Sequence, residues 1–168
     1  MEQMFPGSVY GEITSKGFSK LLDIFEDHFN NPKGVFYDLG SGYGDLCIQA
    51  AKSSKIDKSI GIELHKQRCR VASKKLKDLD LPNVSFINSD FRKSDLSDAT
   101  IILSSNEGMP IHLNSDIYNI APKGCLIILG RRPHLGWRKK NPNVVFNRTE
   151  TIEKTYTTTK GNWYVIKE

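Results

Sequence analysis

A carboxylate and three glycines stand together in the stretch DLGSGYG, which follows a short apolar run. In dinucleotide-binding turns the glycines follow the pattern G-x-G-x-x-G and the turn faces a pyrophosphate. Here Gly40, Gly42 and Gly44 are spaced one residue more tightly, and Asp38 stands two residues before the first of them. Because a carboxylate repels a pyrophosphate and attracts a cation, the turn predicts a ligand that is positively charged at this end.

Acidic residues follow the next two apolar segments as well. Glu63 ends the second segment, 25 residues after Asp38, where doubly wound folds place the acid that accepts ribose hydroxyls. Asp90 and Phe91 follow the third segment and offer an acceptor for an adenine amino group and an aromatic wall. S-adenosylmethionine carries an adenosine, an α-ammonium and a sulfonium. The three positions together therefore predict an S-adenosylmethionine site.

Each of these features has an ordinary alternative when it is taken alone. A glycine-rich turn is often only a tight turn, Glu63 could be a surface charge, and Asp90 could cap a helix. Their order at three successive strand ends favours the joint interpretation.

The elements that must position these residues alternate between strand and helix periods. Apolar residues at helical spacing from Phe18 to Phe29 predict a first helix, with Thr14 and Ser15 as candidate caps. Strands are predicted at 35–39, 59–63, 84–88, 99–103 and 125–129, and helices at 45–53, 69–79 and 113–120. This alternation is typical of an α/β fold with a doubly wound, mainly parallel, Rossmann-like sheet. Residues 143–156 and 162–167, separated by Thr-Thr-Thr-Lys-Gly, predict a terminal antiparallel hairpin.

Length and composition indicate one globular domain. The 168 residues are 38% hydrophobic and 26% charged, and we expect a single domain over 1–168, with an N-terminal region (1–33), a core (34–130) and a basic, hairpin-forming region (131–168). We see neither a signal peptide nor an apolar stretch long enough for a membrane helix. Cys47, Cys69 and Cys125 are widely spaced in apolar contexts and predict buried, reduced thiols of an intracellular protein.

Several segments carry a resemblance to one family. They are SVYGEITSKGF before the first helix, VFYDLGSGYG, GIE, SDF, SSN and APKGCLIIL. Together they resemble the histone methyltransferases of the disruptor-of-telomeric-silencing (Dot-one) family, which methylate lysine seventy-nine of histone H3 in nucleosomes. The resemblance covers about residues 5–129 well and the terminal segment more loosely. Its most specific part is Tyr10-Gly11-Glu12.

The resemblance implies roles for residues that the spacing alone does not assign. Glu12 and Thr14 would lie against the methionine end of the cofactor, and Asn106 would sit beside the transferred methyl group. A narrow channel for the substrate lysine would be lined by Phe5, Tyr10 and Tyr164. The chain departs from the family where Ile13 replaces a threonine and where Ser105 replaces the first of two asparagines. It also lacks the long extensions of larger members, so the resemblance implies a bare catalytic core of a size expected in a virus or a compact protist genome.

An aromatic channel suits the chemistry that the resemblance implies. A lysine amine has a reference pKa near 10.4 and must be neutral to attack, so a channel that excludes water favours its reactive form. Methyl transfer is then an in-line displacement driven by positioning and desolvation, without a metal. In the ordinary alternative, these aromatic residues only pack on the sheet and Asn106 caps a turn.

Positive charge lies in two places. The formal net charge is +5, and the segment after the fifth strand has five cations and no acid: Arg131, Arg132, Arg138, Lys139 and Lys140. We expect this segment to bind the nucleosome, either its DNA or the histone acidic patch. Lys66, Arg70, Lys74 and Lys77 form a stripe along one helix, for which a solvated face is the preferred interpretation.

The sequence therefore predicts a nuclear, monomeric protein-lysine methyltransferase, or one at a cytoplasmic replication site if the source is viral. One alternative is a methyltransferase acting on RNA or on a non-histone protein lysine. The stretch SSNEGMP, which is not Asn/Asp-Pro-Pro-Tyr, disfavours methylation of nucleobase amino groups. The other alternative is a chromatin-binding module without catalysis.

Overall fold

The structure, a computed structural model, describes residues 13–28, 33–105, 109–110, 112–130, 144–153 and 158–166, with side chains for all of these except 24–28, 144–153 and 158–166. The helices are α1 (Ser15–His28), α2 (Asp45–Ala51), α3 (Lys66–Leu76), a 3₁₀ turn (Phe91–Lys93) and α4 (Leu113–Ile120). The strands are β1 (Gly34–Leu39), β2 (Ile56–Glu63), β3 (Val84–Asn88), β4 (Ile101–Ser104), β5 (Leu126–Leu129), β6 (Val144–Glu153) and β7 (Thr158–Ile166).

The strands of the described residues form one seven-stranded sheet in the order β3-β2-β1-β4-β5-β7-β6. The first five run parallel, and β7 is antiparallel to both β5 and β6. The chain winds outward from β1 to β3 and then returns to β4 on the other side of β1. Such a reversal leaves a crevice at the carboxyl ends of the two central strands, where open α/β sheets bind ligands. The predicted doubly wound α/β sheet is confirmed.

The two faces of the sheet bury separate hydrophobic clusters. Phe18 and Leu21 of α1 pack on one face. The ring of Phe18 packs edge-to-face against the ring of Phe36, with 6.3 Å between the two ring centroids. On the other face, Ile117 of α4 packs against Leu39 and other strand residues. Fully burying one such side chain contributes about 1.5–3 kcal/mol. Because both faces are covered, the central strands are held rigidly and their carboxyl ends are fixed relative to one another.

Thr14 caps the first helix, as predicted. Its Oγ1 accepts a hydrogen bond from the backbone N–H of Gly17 at 3.1 Å. A side-chain oxygen at this position satisfies one of the N–H groups that the first helical turn leaves without a partner. Ile13 packs against the same cluster as Phe18. The cap and this contact fix the segment that leads into α1 against the sheet.

Two predicted helix ends are wrong by a few residues. α2 ends at Ala51 because Lys52 and Ser53 donate to carbonyls three residues back, which tightens and closes the last turn. α3 ends at Leu76 in the same way, since the backbone N–H of Lys77 donates to the carbonyl of Lys74. Leu79, predicted on the inner face of this helix, therefore lies beyond it and is 36% exposed.

The end of the chain also differs from its prediction. Thr158 to Gly161, predicted as part of a loop, pair with β6 as the first residues of β7, from Glu153↔Thr158 to Glu150↔Gly161. β-Branched threonine suits a strand, and the pairing partner decides its conformation. Residues 154–157, on which a hairpin turn depends, lie outside the described residues, so the hairpin stays a prediction.

All three cysteines are free and buried, as predicted. Burial raises the pKa of the Cys125 thiol to about 12 and raises the pKa of Cys47 well above its ordinary value. These thiols are therefore protonated core residues. Within the described part of the chain, no helix combines the length and the apolar character needed to cross a membrane.

Candidate active site

The glycine turn is tied to the end of the neighbouring strand β2. The backbone N–H groups of Gly40 and Ser41 both donate to the carbonyl of Ile62, at 2.8 and 3.2 Å. Gly44 then donates to the carbonyl of Ser41 at 2.9 Å, and α2 begins one residue later. The turn therefore has a fixed shape at the carboxyl ends of β1 and β2, which is the predicted location of the ligand.

Backbone conformation and close neighbouring side chains both require glycine at position 44. Its φ of 82° lies in the left-handed region, where side chains are strained. A Cβ built on Gly44 would also lie 2.3 Å from the ring of Phe86 and 2.8 Å from the Cβ of Ala72. The same applies at Gly40, where φ is 88° and a Cβ would lie 2.6 Å from the methyl carbon of Met109. Glycine at these positions lets the turn, β3 and the segment after β4 come together.

Glu63 clamps the turn from the end of β2. Its side chain is buried, with 6% of the residue exposed. One carboxylate oxygen accepts from the N–H of Gly42 at 2.8 Å, and the other accepts from the N–H of His65 at 2.8 Å. A carboxylate has about four acceptor positions, so two remain for further donors such as a pair of hydroxyls.

Asp38 lies buried beside this clamp, with 5% of the residue exposed. Burial, and secondarily the nearby negative charge of Glu63, raises the pKa of its carboxyl group to about 7. Among the described residues neither carboxylate forms an ion pair. Two buried acids without a cation favour a positively charged ligand, because its charge would stabilise the ionised form of Asp38.

Three residues that the sequence interpretation did not single out also line this region. The Ser41 hydroxyl is buried and has no hydrogen-bond partner within the part of the chain that the structure describes. Ser104, at the end of β4, donates to the carbonyl of Leu39 at 2.9 Å, and its hydroxyl lies 3.8 Å from the Met109 sulfur. A motif search would not have found Met109, since a methionine carries no spacing signal. An orphan hydroxyl, paired acids and a tight glycine turn fit the polar groups of S-adenosylmethionine.

The third predicted position is partly occupied by a neighbouring cation. Asp90 caps the 3₁₀ turn by accepting from the N–H of Arg92 at 3.0 Å. The guanidinium of Arg92 also binds both Asp90 oxygens and lies 3.8 Å from Asp116 of α4. Hydrogen bonding by Arg92 lowers the pKa of the Asp90 carboxyl group. The capping alternative is therefore confirmed, and a role toward adenine stays a prediction.

The remaining predicted residues are only partly covered by the structure. Phe91 is 8% exposed and belongs to the hydrophobic cluster beside α4. The backbone of Tyr164 pairs with Ile127 in the middle of β5. Outside the described residues lie Phe5, Tyr10, Glu12, Asn106, Arg131, Arg132, Arg138, Lys139 and Lys140.

Comparison with known proteins decides the family. A family model described as histone methylation protein DOT1 matches residues 2–164. The chain belongs to the DOT1 family. The match spans nearly the whole chain, so the resemblance found in the sequence segments is confirmed at the level of the family.

Individual relatives within the DOT1 family are distant and longer. The chain is 29% identical over 141 residues to the histone-lysine N-methyltransferase, H3 lysine-79 specific, of Yarrowia lipolytica, which covers 74% of this chain and 28% of that protein. It is 26% identical over 174 residues to the protein of the same name from Caenorhabditis elegans, covering 93% of this chain and 18% of that protein. The chain thus spans less than a third of either relative.

Solved structures agree on the fold of this DOT1 chain. An RNA methyltransferase from Salinibacter ruber in complex with S-adenosyl-L-homocysteine superposes with a TM-score of 0.61 at 20% identity, covering 89% of this chain and 92% of the other. Magnesium protoporphyrin IX methyltransferase from Synechocystis with bound SAM superposes with a TM-score of 0.64 at 13% identity, covering 88% of this chain and 77% of the other. The chain therefore has the Rossmann-like fold of S-adenosylmethionine-dependent methyltransferases. These identities are too low to carry a substrate across.

Proposed function

We propose that this chain is an S-adenosylmethionine-dependent protein-lysine N-methyltransferase that methylates lysine seventy-nine of histone H3 in nucleosomes. One structural observation carries the cofactor assignment: Asp38 and Glu63 are buried side by side at adjacent strand ends, around a turn of fixed shape. Membership of the DOT1 family supports the substrate assignment. The chain would act in the nucleus, or elsewhere on chromatin.

The cofactor would be held from three strand ends. Asp38 would face its α-ammonium, Glu63 would accept the ribose hydroxyls, and Asp90 with Phe91 would meet the adenine. The backbone of Gly40 and Gly42 would allow close approach, with Glu12 and Thr14 closing the methionine end. When bound, S-adenosylmethionine supplies a methyl group on a sulfonium. The two free acceptor positions of Glu63 support the ribose assignment.

The protein's task in the transfer is to deliver a neutral amine in line with the methyl group. Phe5, Tyr10 and Tyr164 would form an apolar channel that excludes water and disfavours the ammonium form of the lysine. Asn106 would stand at the reacting end, two residues past Ser104, whose hydroxyl bonds to the end of β1. Positioning and desolvation then supply most of the rate enhancement.

The C-terminal region would complete the substrate side. A hairpin of β6 and β7 would bring Tyr164 to the sheet, which its pairing with β5 supports. The enzyme would act as a monomer. Its basic segment would contact the nucleosome, at the histone acidic patch or at DNA, through Arg131, Arg132, Arg138, Lys139 and Lys140. One domain would contain every part of the site.

Transfer of a labelled methyl group tests this function directly. Purified protein with labelled S-adenosylmethionine is expected to label histone H3 in recombinant nucleosomes, and mass spectrometry should place the label on lysine seventy-nine. Gly42→Arg and Asn106→Ala should abolish labelling, while Lys52→Gln, an exposed residue beyond α2, should not. Labelling of free RNA but not of histones would contradict the protein substrate. Cofactor binding without turnover would instead favour a non-catalytic chromatin module.

A second candidate substrate is a lysine of a non-histone protein. A relative named protein-lysine N-methyltransferase, from Saccharolobus islandicus, is 32% identical over 69 residues, covering 40% of this chain and 43% of that protein. Its name specifies no histone. Incubation with a cell extract, followed by mass spectrometry, would reveal methylated proteins other than histone H3 if this candidate is correct.

A further inference from the structure

The basic stripe along α3, defined as Lys66, Arg70, Lys74 and Lys77, is a second charged surface that the candidate active site does not use. All four side chains are exposed. None of them forms an ion pair among the described residues. The residues recur every three to four positions, so they share one flank of the helix. The result is an unpaired row of cations on the surface.

Other lysines of this protein form ion pairs with aspartates. Lys75, on the same helix, binds both oxygens of Asp45 of α2 at 2.6 and 2.7 Å. Lys58 lies 3.2 Å from Asp98, and Lys33 lies 3.9 Å from Asp57. Helical rotation turns Lys66, Arg70 and Lys74 roughly 100–180° away from Lys75. They therefore face away from α2, on the side of β3, which is an edge strand.

The stripe works against the stability of the helix that carries it. Lys66, Arg70 and Lys74 are spaced four residues apart, and like charges at this spacing repel. Lys66 also stands at the N-terminal end, where the helix dipole favours an acid, and the first turn contains none. Polar residues without charge would keep the helix soluble without this repulsion. Repulsion within α3 that no ion pair among the described residues offsets points to a function for these charges.

We propose that the α3 stripe binds the phosphate backbone of duplex DNA, which rests on the proposed function since a nucleosomal substrate supplies that DNA. From Lys66 to Lys74 the helix rises about 12 Å. One strand of B-form DNA carries about three to four phosphates over that axial length. The charges match in number and sign, and α3 begins only three residues after Glu63. A contact here would orient the cofactor edge of the sheet relative to the nucleosome.

The test compares two variants with equal net charge. Lys66→Gln/Arg70→Gln/Lys74→Gln removes three of the four charges of the stripe. Lys33→Gln/Lys52→Gln/Lys123→Gln removes three exposed charges that precede β1, follow α2 and precede β5, at the amino ends of the parallel strands. Binding to a short labelled duplex is measured by fluorescence anisotropy over a salt series. We expect only the stripe variant to bind more weakly, with the slope of log K against log salt shallower by about 2–3.

Three further measurements make the outcome specific. The stripe variant should melt at the same or a higher temperature than the wild type, because repulsion within α3 is relieved. Its affinity for S-adenosylmethionine in calorimetry should be unchanged. Lys66→Arg/Lys74→Arg, which keeps the charges, should bind the duplex as the wild type does.

Equal duplex binding by the wild type and the stripe variant would overturn the inference, as would an equal loss in the control variant or tighter binding of single-stranded RNA. Duplex binding needs no turnover, so such a result leaves the methylation assay free to succeed or fail separately.

Discussion

The carboxylate of Glu63 accepts a hydrogen bond from the backbone of Gly42 at 2.8 Å, which joins the end of β2 to the middle of the glycine turn. The same carboxylate holds the N–H of His65 at the start of α3. A residue predicted to bind the cofactor thus also shapes the loop that would surround it. Loss of this side chain should therefore affect stability and cofactor binding together.

Glu63→Gln should destabilise the protein by about 1.5–3 kcal/mol, since one of two backbone donors would face an amide N–H₂ in place of a charged oxygen. Urea denaturation measures this change, and calorimetry should show weakened binding of S-adenosylmethionine. Asp57→Asn, whose partner Lys33 lies on the exposed surface at 3.9 Å, is the control and should change neither quantity appreciably. Full cofactor affinity in Glu63→Gln would remove Glu63 from the ribose site.

Cofactor binding should depend on pH through Asp38. Burial, and secondarily Glu63, raises its pKa from 3.8 to about 7, so at lower pH the carboxyl group is protonated and cannot attract an ammonium. We expect affinity for S-adenosylmethionine to fall by up to about tenfold per pH unit below 7. Calorimetry between pH 6 and pH 8 is the measurement, and a flat profile for the wild type would contradict this role. Asp38→Asn should bind weakly at every pH.

Asp38 should also make the ligand-free protein less stable as pH rises. A raised pKa in the folded state contributes stability that is fully present below 3.8 and is lost as pH rises through about 7. Asp38→Asn removes the ionisation, so its melting temperature should exceed that of the wild type at pH 8 and approach it at pH 5. A variant less stable than the wild type at both values would show that hydrogen bonding by Asp38 outweighs its charge.

Gly44→Ala should destabilise the protein by about 2–5 kcal/mol, because a left-handed conformation costs about 1–2 kcal/mol and overpacking costs about 1–3 kcal/mol. The overpacking comes from Phe86 and Ala72. Gly124→Ala is a matched control: its φ is 76°, and nothing lies within 4 Å of the added Cβ. It should cost only the conformational strain, about 1–2 kcal/mol. Equal losses in urea denaturation would mean that Phe86 and Ala72 move aside freely.

Arg92→Leu should weaken cofactor binding several-fold without lowering the melting temperature much, because Arg92 fixes the Asp90 carboxylate from an exposed position. The variant should also return the pKa of Asp90 toward its ordinary value. Asp116→Asn removes only the longer contact at 3.8 Å and should have a smaller effect. Tighter binding in Arg92→Leu would instead indicate that Arg92 competes with the adenine for Asp90.

Local pattern in the sequence determined most of the fold. The residues that end β1, β2 and β3 were identifiable because apolar runs, glycines and acids follow one another in a fixed order along the chain. Thr14 was identifiable as a cap because its hydroxyl acts on a backbone N–H only three residues away. β7 was only partly identifiable, since Thr158 to Gly161 become strand through pairing with β6, and no local pattern encodes the partner.

The chemistry at the strand ends was readable from the sequence, but its electrostatic state was not. Asp38, the glycine turn and Glu63 could be assigned to one ligand because parallel strands bring their carboxyl ends together. Only the tertiary structure decided that the Glu63 carboxylate accepts from the backbone of Gly42 and His65. The same holds for the hydrogen bond from the Arg92 guanidinium to Asp90 and for the packing of Met109 next to Gly40. The raised pKa of Asp38 likewise depends on burial and on a carboxylate 25 residues away. These are long-range contacts, which arise from packing and leave no periodic trace in the sequence.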